Sequence, residues 1–227
     1  MNVEIWSDVV CPWCYIGKRR FETALGQFAH RDEVVVWRSF ELDPHAARLV
    51  PGTLNELLAR KKGGTPEQAA AATAQITALA ATEGLEYHLD QARSGNTFDA
   101  HRLLHLAAEQ GRQGALKERL MRAYFTEGAP IGEAATLVAL AAEVGIVAAE
   151  AAAALAGDAY ASAVRADERR AADLGISGVP FVVVDGRYGV SGAQPPQVFL
   201  DVLEQAWAES PGEAGGVGAA PARERAG

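Results

Sequence analysis

With 227 residues, 49% of them hydrophobic and 22% charged, the chain has the make-up of an ordinary globular protein and is long enough to bury a sizeable core. A net charge of −8, with no basic segment, argues against nucleic acid and anionic membrane surfaces as partners. No apolar run approaches the roughly 20 residues that cross a bilayer. The start, Met1-Asn2-Val3-Glu4-Ile5-Trp6, lacks the basic and apolar regions of a secretory signal, so a cytoplasmic location is expected.

Residues 3–7, with β-branched and aromatic side chains, read as a short strand. Residues 12–28 read as a helix, with Ile16, Phe21, Leu25 and Phe28 near helical spacing. Pro12 suits the first helical position, where a missing N–H is no loss, and this puts Cys11 at the N-cap. Residues 33–40 (EVVVWRSF) form a largely apolar second strand, expected to be buried, which completes a βαβ unit. From Thr53 to about Arg170 the chain is rich in Ala, Leu, Glu and Arg. Helices are expected at 53–62, 66–83, 97–110, 113–125, 133–144, 148–155 and 158–173, broken at glycines such as Gly63, Gly84, Gly111 and Gly145. The Ala-rich stretch 148–156 is read as a closely packed helix. β structure returns at 180–184, turns at the two-residue hairpin signal Asp185-Gly186, and comes back along 187–191. A closing helix at 195–208 precedes a Pro/Gly/Ala-rich tail, 211–227, expected to be disordered. The order βαβ, helical block, ββα gives an α/β fold, thioredoxin-like with a large all-helical insertion. The thioredoxin-like part is discontinuous (1–50 and 174–210), with the insertion at 51–173.

Only two cysteines are present, in Cys11-Pro12-Trp13-Cys14. A loop this short adds little stability as a crosslink, so the pair points to redox catalysis or to metal. Disulfide exchange needs a thiolate, and a free thiol is mostly protonated at neutral pH. The unpaired N–H groups of a helix start favour the anion, so Cys11 is the expected nucleophile. Cys14, one turn further in and more buried, is the expected resolving thiol. Pro12 and Trp13 carry no ionisable group, and Trp13 should be exposed beside the sulfurs as a recognition surface. Trp6 and Trp37 sit in strand patterns and are expected in the core. Lys18 and Arg19 are read as solvated helix residues. The competing reading, a Cys₂His₂ zinc site completed by His101 and His105 on one helix face, is set aside because the spacing is loose and Pro12 serves a redox helix better. No metal is therefore expected. Asp8, three residues before Cys11, is a candidate proton relay for Cys14 or simply a loop cap. Asn96 or Thr97 is a candidate helix cap. Val179-Pro180 reads, on its own, as a trans proline opening a strand.

The stretches Asp8-Val9-Val10-Cys11-Pro12-Trp13-Cys14 with Gly17, Phe40-Glu41-Leu42-Asp43-Pro44, Asn96-Thr97-Phe98-Asp99-Ala100-His101-Arg102-Leu103, Gly178-Val179-Pro180-Phe181 and Ser191-Gly192-Ala193-Gln194 together resemble the DsbA-like branch of the thioredoxin superfamily, and within it the cytoplasmic FrnE-like group. The resemblance implies a thiol–disulfide oxidoreductase or isomerase working through a Cys11 mixed disulfide, on a protein or small disulfide substrate. No cofactor is implied, with glutathione a candidate co-substrate, and the chain would be a monomer or a homodimer. The resemblance also implies a cis Val179–Pro180 bond facing Cys11, where Val179 and Pro180 would receive an extended peptide, and it suggests that Asn96 and His101 border the site and contact substrate. Related glutathione transferases of the kappa class and 2-hydroxychromene-2-carboxylate isomerases typically carry serine in place of the first cysteine, which both cysteines here argue against. A non-enzymatic peptide-binding adaptor is the remaining alternative.

Overall fold

The computed structural model describes residues 1–30 and 33–210; the tail expected at 211–227 lies outside them. A four-stranded sheet in the order β2-β1-β3-β4 is built from β1 (Asn2–Ser7), β2 (Val34–Ser39), β3 (Phe181–Val184) and β4 (Tyr188–Ser191). β1 and β2 are parallel and joined by α1 (Pro12–Gln27), whereas β3 and β4 run antiparallel to their neighbours. Between β2 and β3 lie α2 (Leu54–Lys62), α3 (Pro66–Thr82), α4 (Phe98–Glu109), α5 (Gln113–Phe125), α6 (Ala134–Glu143), α7 (Ala148–Ala156) and α8 (Ala161–Asp173), and α9 (Pro196–Ala208) closes the order.

Strand alternation sorts the side chains into layers. Val3, Ile5, Val182, Val184 and Val190 face α1 and α9, packing on Phe21, Ala24, Phe28, Phe199 and Leu203. Trp6 and Val183 face the other way, onto Ala171 of α8 and Ile176. The Trp6 indole donates to the Asp167 carbonyl at 3.0 Å. Glu4, buried on that face, is held by Arg38 at 2.7 Å and Arg170 at 2.6 Å. The largest apolar cluster belongs to the helical block, through Leu103, Leu116, Leu120, Met121, Phe125 and Leu137. It continues without a break into Val9, Cys11, Cys14, Tyr15 and Ile16. The start of α1 and the insertion thus share one core.

Three local expectations change. β2 is an edge strand with only Trp37 and Ser39 buried. Its open edge is partly paired by the Gln113 side chain, which accepts from Trp37 N at 3.0 Å and donates to Trp37 O at 2.9 Å. The hairpin has three residues between paired ends, with Asp185 and Gly186 both at positive φ and Arg187 N returning to Val184 O. The last insertion helix starts at Ala161 rather than 158, because Arg102 gathers the carbonyls of Ala154, Gly157 and Ala159 and holds that segment out of helix.

The chain between β2 and α2 is held mainly by its backbone. Val50 N donates to Ser94 O, Asn96 N to Ala47 O and Leu42 N to Asp8 Oδ2. The Arg48 carbonyl sits between two glycines: a Cβ would lie 2.2 Å from it at Gly95 and 1.8 Å at Gly132. No helix among the described residues is long and apolar enough to cross a membrane.

Candidate active site

Cys11 is the N-cap of α1, with extended backbone (φ −85°, ψ 116°) and Pro12 following at the first helical turn. Cys14 N donates to the Cys11 carbonyl at 3.0 Å, so the second cysteine enters the first turn beneath the first. Both are free thiols, and both are deeply set: Cys11 is 4% exposed and Cys14 fully buried. Trp13, between them, stands out at 41% exposure.

The Cys11 Sγ–H donates to the Val179 carbonyl at 3.6 Å, and the Val179–Pro180 bond is cis. Gly17, one turn into α1, gives the proline loop its room, since a Cβ there would lie 2.9 Å from Pro180 Cγ. The Gly192 N–H donates to the Pro180 carbonyl at 2.8 Å, tying the Ser191-Gly192-Ala193-Gln194 stretch to the same loop. From the insertion, the Tyr87 hydroxyl donates to the Pro12 carbonyl at 2.8 Å. Tyr87 stacks on Phe125 at 4.6 Å between ring centroids and, more distantly, on Tyr15. A cavity of about 400 Å³ between α3 and Tyr87 shares that tyrosine but includes neither cysteine.

The two thiols differ in acidity. A hydrogen bond from Cys14 holds the Cys11 thiol below its ordinary range against the cost of burial, and the N–H groups of Cys14 and Trp13 at the open helix end favour the anion further. Cys11 makes no close side-chain cap bond, so this help is electrostatic. The Asp8 charge opposes it. Burial pushes Cys14 well above the ordinary thiol range, and its bond to Cys11 adds to that. At neutral pH the upper sulfur is the better anion and the lower one keeps its proton.

Below the pair lies a buried polar cluster. Asp8 is fully buried; its carboxylate accepts from Leu42 N at 2.8 Å and from His101 Nε2 at 3.3 Å. Burial pushes the Asp8 carboxyl up, but the His101 and Leu42 bonds outweigh it and hold the group low. Burial keeps His101 neutral, so the imidazole donates its Nε2 proton to an ionised Asp8. His101 Nδ1 and Ser7 Oγ find no partner among the described residues. Lys117, from α5, is fully buried and donates from Nζ to the Ser7 carbonyl at 3.1 Å.

The residues singled out in the sequence thus fall into two groups. Cys11, Cys14, Trp13, Val179 and Pro180 come together at the end of α1. Asp8 and His101 pair with each other beneath it. His101 is 1% exposed, so its ring is committed to Asp8 and is not presented to a surface. Asn96 is half-buried, and its side chain is engaged with Phe98 N at 2.9 Å and, more loosely, Pro44 O and Glu41. It fastens the start of α4. His105 bonds Ser39 Oγ and Asp167, each at 3.1 Å, far from the role of a shared ligand with His101. Among the described residues no three acidic, histidine or cysteine side chains converge to hold a metal ion. Lys18, read as solvated, is instead 5% exposed and bonded to Glu22 at 2.5 Å and Glu118 at 2.6 Å, because α5 packs across it. Tyr87 and Lys117 were missed. Lys117 did leave a signal, since it lies on the helical stripe of Gln113, Leu120, Met121 and Tyr124, where an apolar residue belongs.

A model of the DSBA-like thioredoxin domain matches residues 2–204. The fold superposes on a probable DsbA oxidoreductase from Streptomyces coelicolor with a TM-score of 0.88 and 51% identity, covering 92% of this chain and 91% of that one. The cytosolic disulfide reductase DsbM from Pseudomonas aeruginosa, solved with GSH, shares the fold at a TM-score of 0.65 and 19% identity, covering 92% of this chain and all of that one. The Bacillus subtilis protein YwbO is 28% identical over 202 residues, 88% of this chain and 94% of the relative. A family match that spans nearly all the described residues, on a sheet and first helix that carry a CXXC pair, makes this chain a member of the DSBA-like thioredoxin domain family of disulfide oxidoreductases.

Proposed function

We propose that the chain exchanges thiols and disulfides through Cys11, with Cys14 as the resolving thiol. The Cys11 thiolate attacks one sulfur of a substrate disulfide. The substrate S–S bond breaks, a Cys11–substrate disulfide forms, and the departing sulfur takes a proton. Cys14 then loses its proton and attacks Cys11 Sγ, closing the Cys11–Cys14 disulfide and releasing the second substrate thiol. The two electrons gained by the substrate come from the cysteine pair, and a thiol reductant restores them. Glutathione is our candidate for that reductant. In the reverse direction the same steps oxidise a dithiol.

The single observation that carries this reading is the unequal pair at the helix start: a sulfur with lowered proton affinity at the N-cap and its partner, fully buried and protonated, one turn behind. The Val179 carbonyl faces that sulfur, and the exposed Trp13 ring beside it supplies an apolar contact for a polypeptide substrate. Asp8, with His101 orienting it, is our candidate acceptor for the Cys14 proton.

Insulin reduction with dithiothreitol or glutathione as electron donor tests the proposal. Turnover should be lost in Cys11→Ser, and Cys14→Ser should trap a mixed disulfide. Iodoacetamide at pH 7 should modify Cys11 and spare Cys14. Peptide binding unaffected by Cys11→Ser, with no turnover in the unaltered protein, would replace this reading with an adaptor. Glutathione conjugation that survives Cys11→Ser would replace it with a transferase.

A further inference from the structure

Lys117 takes no part in the exchange steps above, yet the fold goes to some length to place it. It comes from the insertion, on the face of α5 whose Leu116, Leu120 and Met121 lie in the core shared with the cysteines. Its nitrogen donates to the main-chain carbonyl of Ser7 rather than to a carboxylate, and sits 5.6 Å from the centre of the Trp37 ring. A buried ammonium with a neutral hydrogen-bond partner is an expensive arrangement unless negative charge lies close by.

The charges that face Lys117 come from every side. Asp8 at the end of β1 and the sulfurs of Cys11 and Cys14 at the start of α1 favour the ammonium, and Lys18 on α1 opposes it. On α4, His101 feels the lysine as a repulsive neighbour, while Glu168 on α8 acts on that histidine in the opposite sense. Asp8 is already satisfied by Leu42 N and His101. His101 is neutral, so the Asp8 charge bears on Lys117 in both redox states, and the negative charge that changes is the one that appears on sulfur when the pair is reduced.

Resting on the exchange reading above, we propose that Lys117 is a positioning residue whose ammonium stabilises the reduced, thiolate-bearing form of the Cys11–Cys14 pair and so raises its reduction potential. When two thiol donors reduce the disulfide, the S–S bond breaks, one sulfur takes a proton, the other remains anionic, and the second proton passes to solvent. The donors leave as a disulfide. The lysine supplies the matching positive charge without moving. By reciprocity, the thiolate must raise the proton affinity of Lys117 as much as Lys117 lowers that of the sulfur. Burial has already brought the lysine down to about 8, within reach of titration.

Two measurements decide it. The chain has only four lysines, Lys18, Lys61, Lys62 and Lys117, so ¹⁵N-lysine NMR can follow each side chain in the unaltered protein. Lys117 is expected to titrate about one pH unit higher in the reduced than in the oxidised protein, a tenfold coupling. In glutathione buffers, Lys117→Met is expected to be about tenfold harder to reduce, roughly 30 mV lower in potential. A purely structural lysine would weaken the melting point and leave both readouts alone. Equal titration of Lys117 in the two redox states overturns the proposal, and so does a folded Lys117→Met with unaltered potential. If that variant fails to fold, the NMR titration still decides. Absence of insulin turnover in the unaltered protein would instead sink the exchange reading, and leaves the lysine titration interpretable by itself.

Discussion

Glu118 offers the sharpest test of how the insertion is fixed to the first helix. Its carboxylate, on α5, accepts from the Tyr15 hydroxyl at 2.6 Å, from Lys18 at 2.6 Å and from both Arg19 terminal nitrogens, all on α1. Burial pushes this carboxyl up, but the Arg19, Lys18 and Tyr15 bonds outweigh it and bring it from an ordinary 4.5 down to about 2. At about 1.4 kcal/mol per pH unit, that gap corresponds to about 3 kcal/mol of folding stability. The side chain is 31% exposed, and solvent screening reduces the figure to about 2 kcal/mol. The sign follows from the depressed value: the contribution is fully present above pH 4.5 and is lost as pH falls toward 2. Glu118→Gln keeps the shape and removes the charge, leaving the buried Lys18 ammonium with Glu22 alone. The variant is expected to melt about 6 °C lower at pH 7, at roughly 3 °C per kcal/mol for a chain of this size. The gap should close progressively between pH 4.5 and 2. Calorimetry or circular dichroism across that range checks it. A difference below about 1 °C at pH 7, or one that stays constant down to pH 2.5, refutes the reasoning.

Gly132→Ala would drive a methyl group to within 1.8 Å of the Arg48 carbonyl, a backbone atom without room to retreat. A loss of about 2 kcal/mol in denaturant unfolding is expected, with faster proteolysis of the 40–52 segment. Arg102 serves three carbonyls and Asp99 with one planar guanidinium. Lysine cannot match that fork, so Arg102→Lys should cost about 3 kcal/mol in the same assay while leaving the iodoacetamide reactivity of Cys11 unchanged.

Much of this was legible in the sequence because it is encoded locally. The β-branched and aromatic runs at 3–7 and 180–184, the glycines closing successive helices, and Pro12 behind Cys11 each act within one turn or one strand. The helical block and the CXXC placement therefore follow from neighbours in the chain. What escaped depends on pairings about a hundred residues apart. Lys18 looks like any surface lysine until α5 brings Glu118 over it. Tyr87 sits in a segment without periodic pattern and reaches Pro12 only through the tertiary fold. β2 reads as buried from composition, but edge or centre is a matter of strand order, which composition does not carry. The Asn96–Leu103 stretch showed that something was being held in place. Only the contacts reveal that the residues hold three different things: Asn96 the start of α4, His101 the Asp8 carboxylate, and Arg102 the end of α7.

The segment linking β2 to α2 is clasped by amide hydrogens, carbonyls and two bare α-carbons, none of which depends on the identity of its own side chains. Leu42, Arg48 and Leu49 on it point into solvent. Glu41 on the same segment is buried and paired with Arg165, so it is at the outward positions that the rim leading from Asp8 can be redecorated by mutation at little structural risk. A lineage could change what this protein greets at its surface while the sulfur machinery underneath stays as it is.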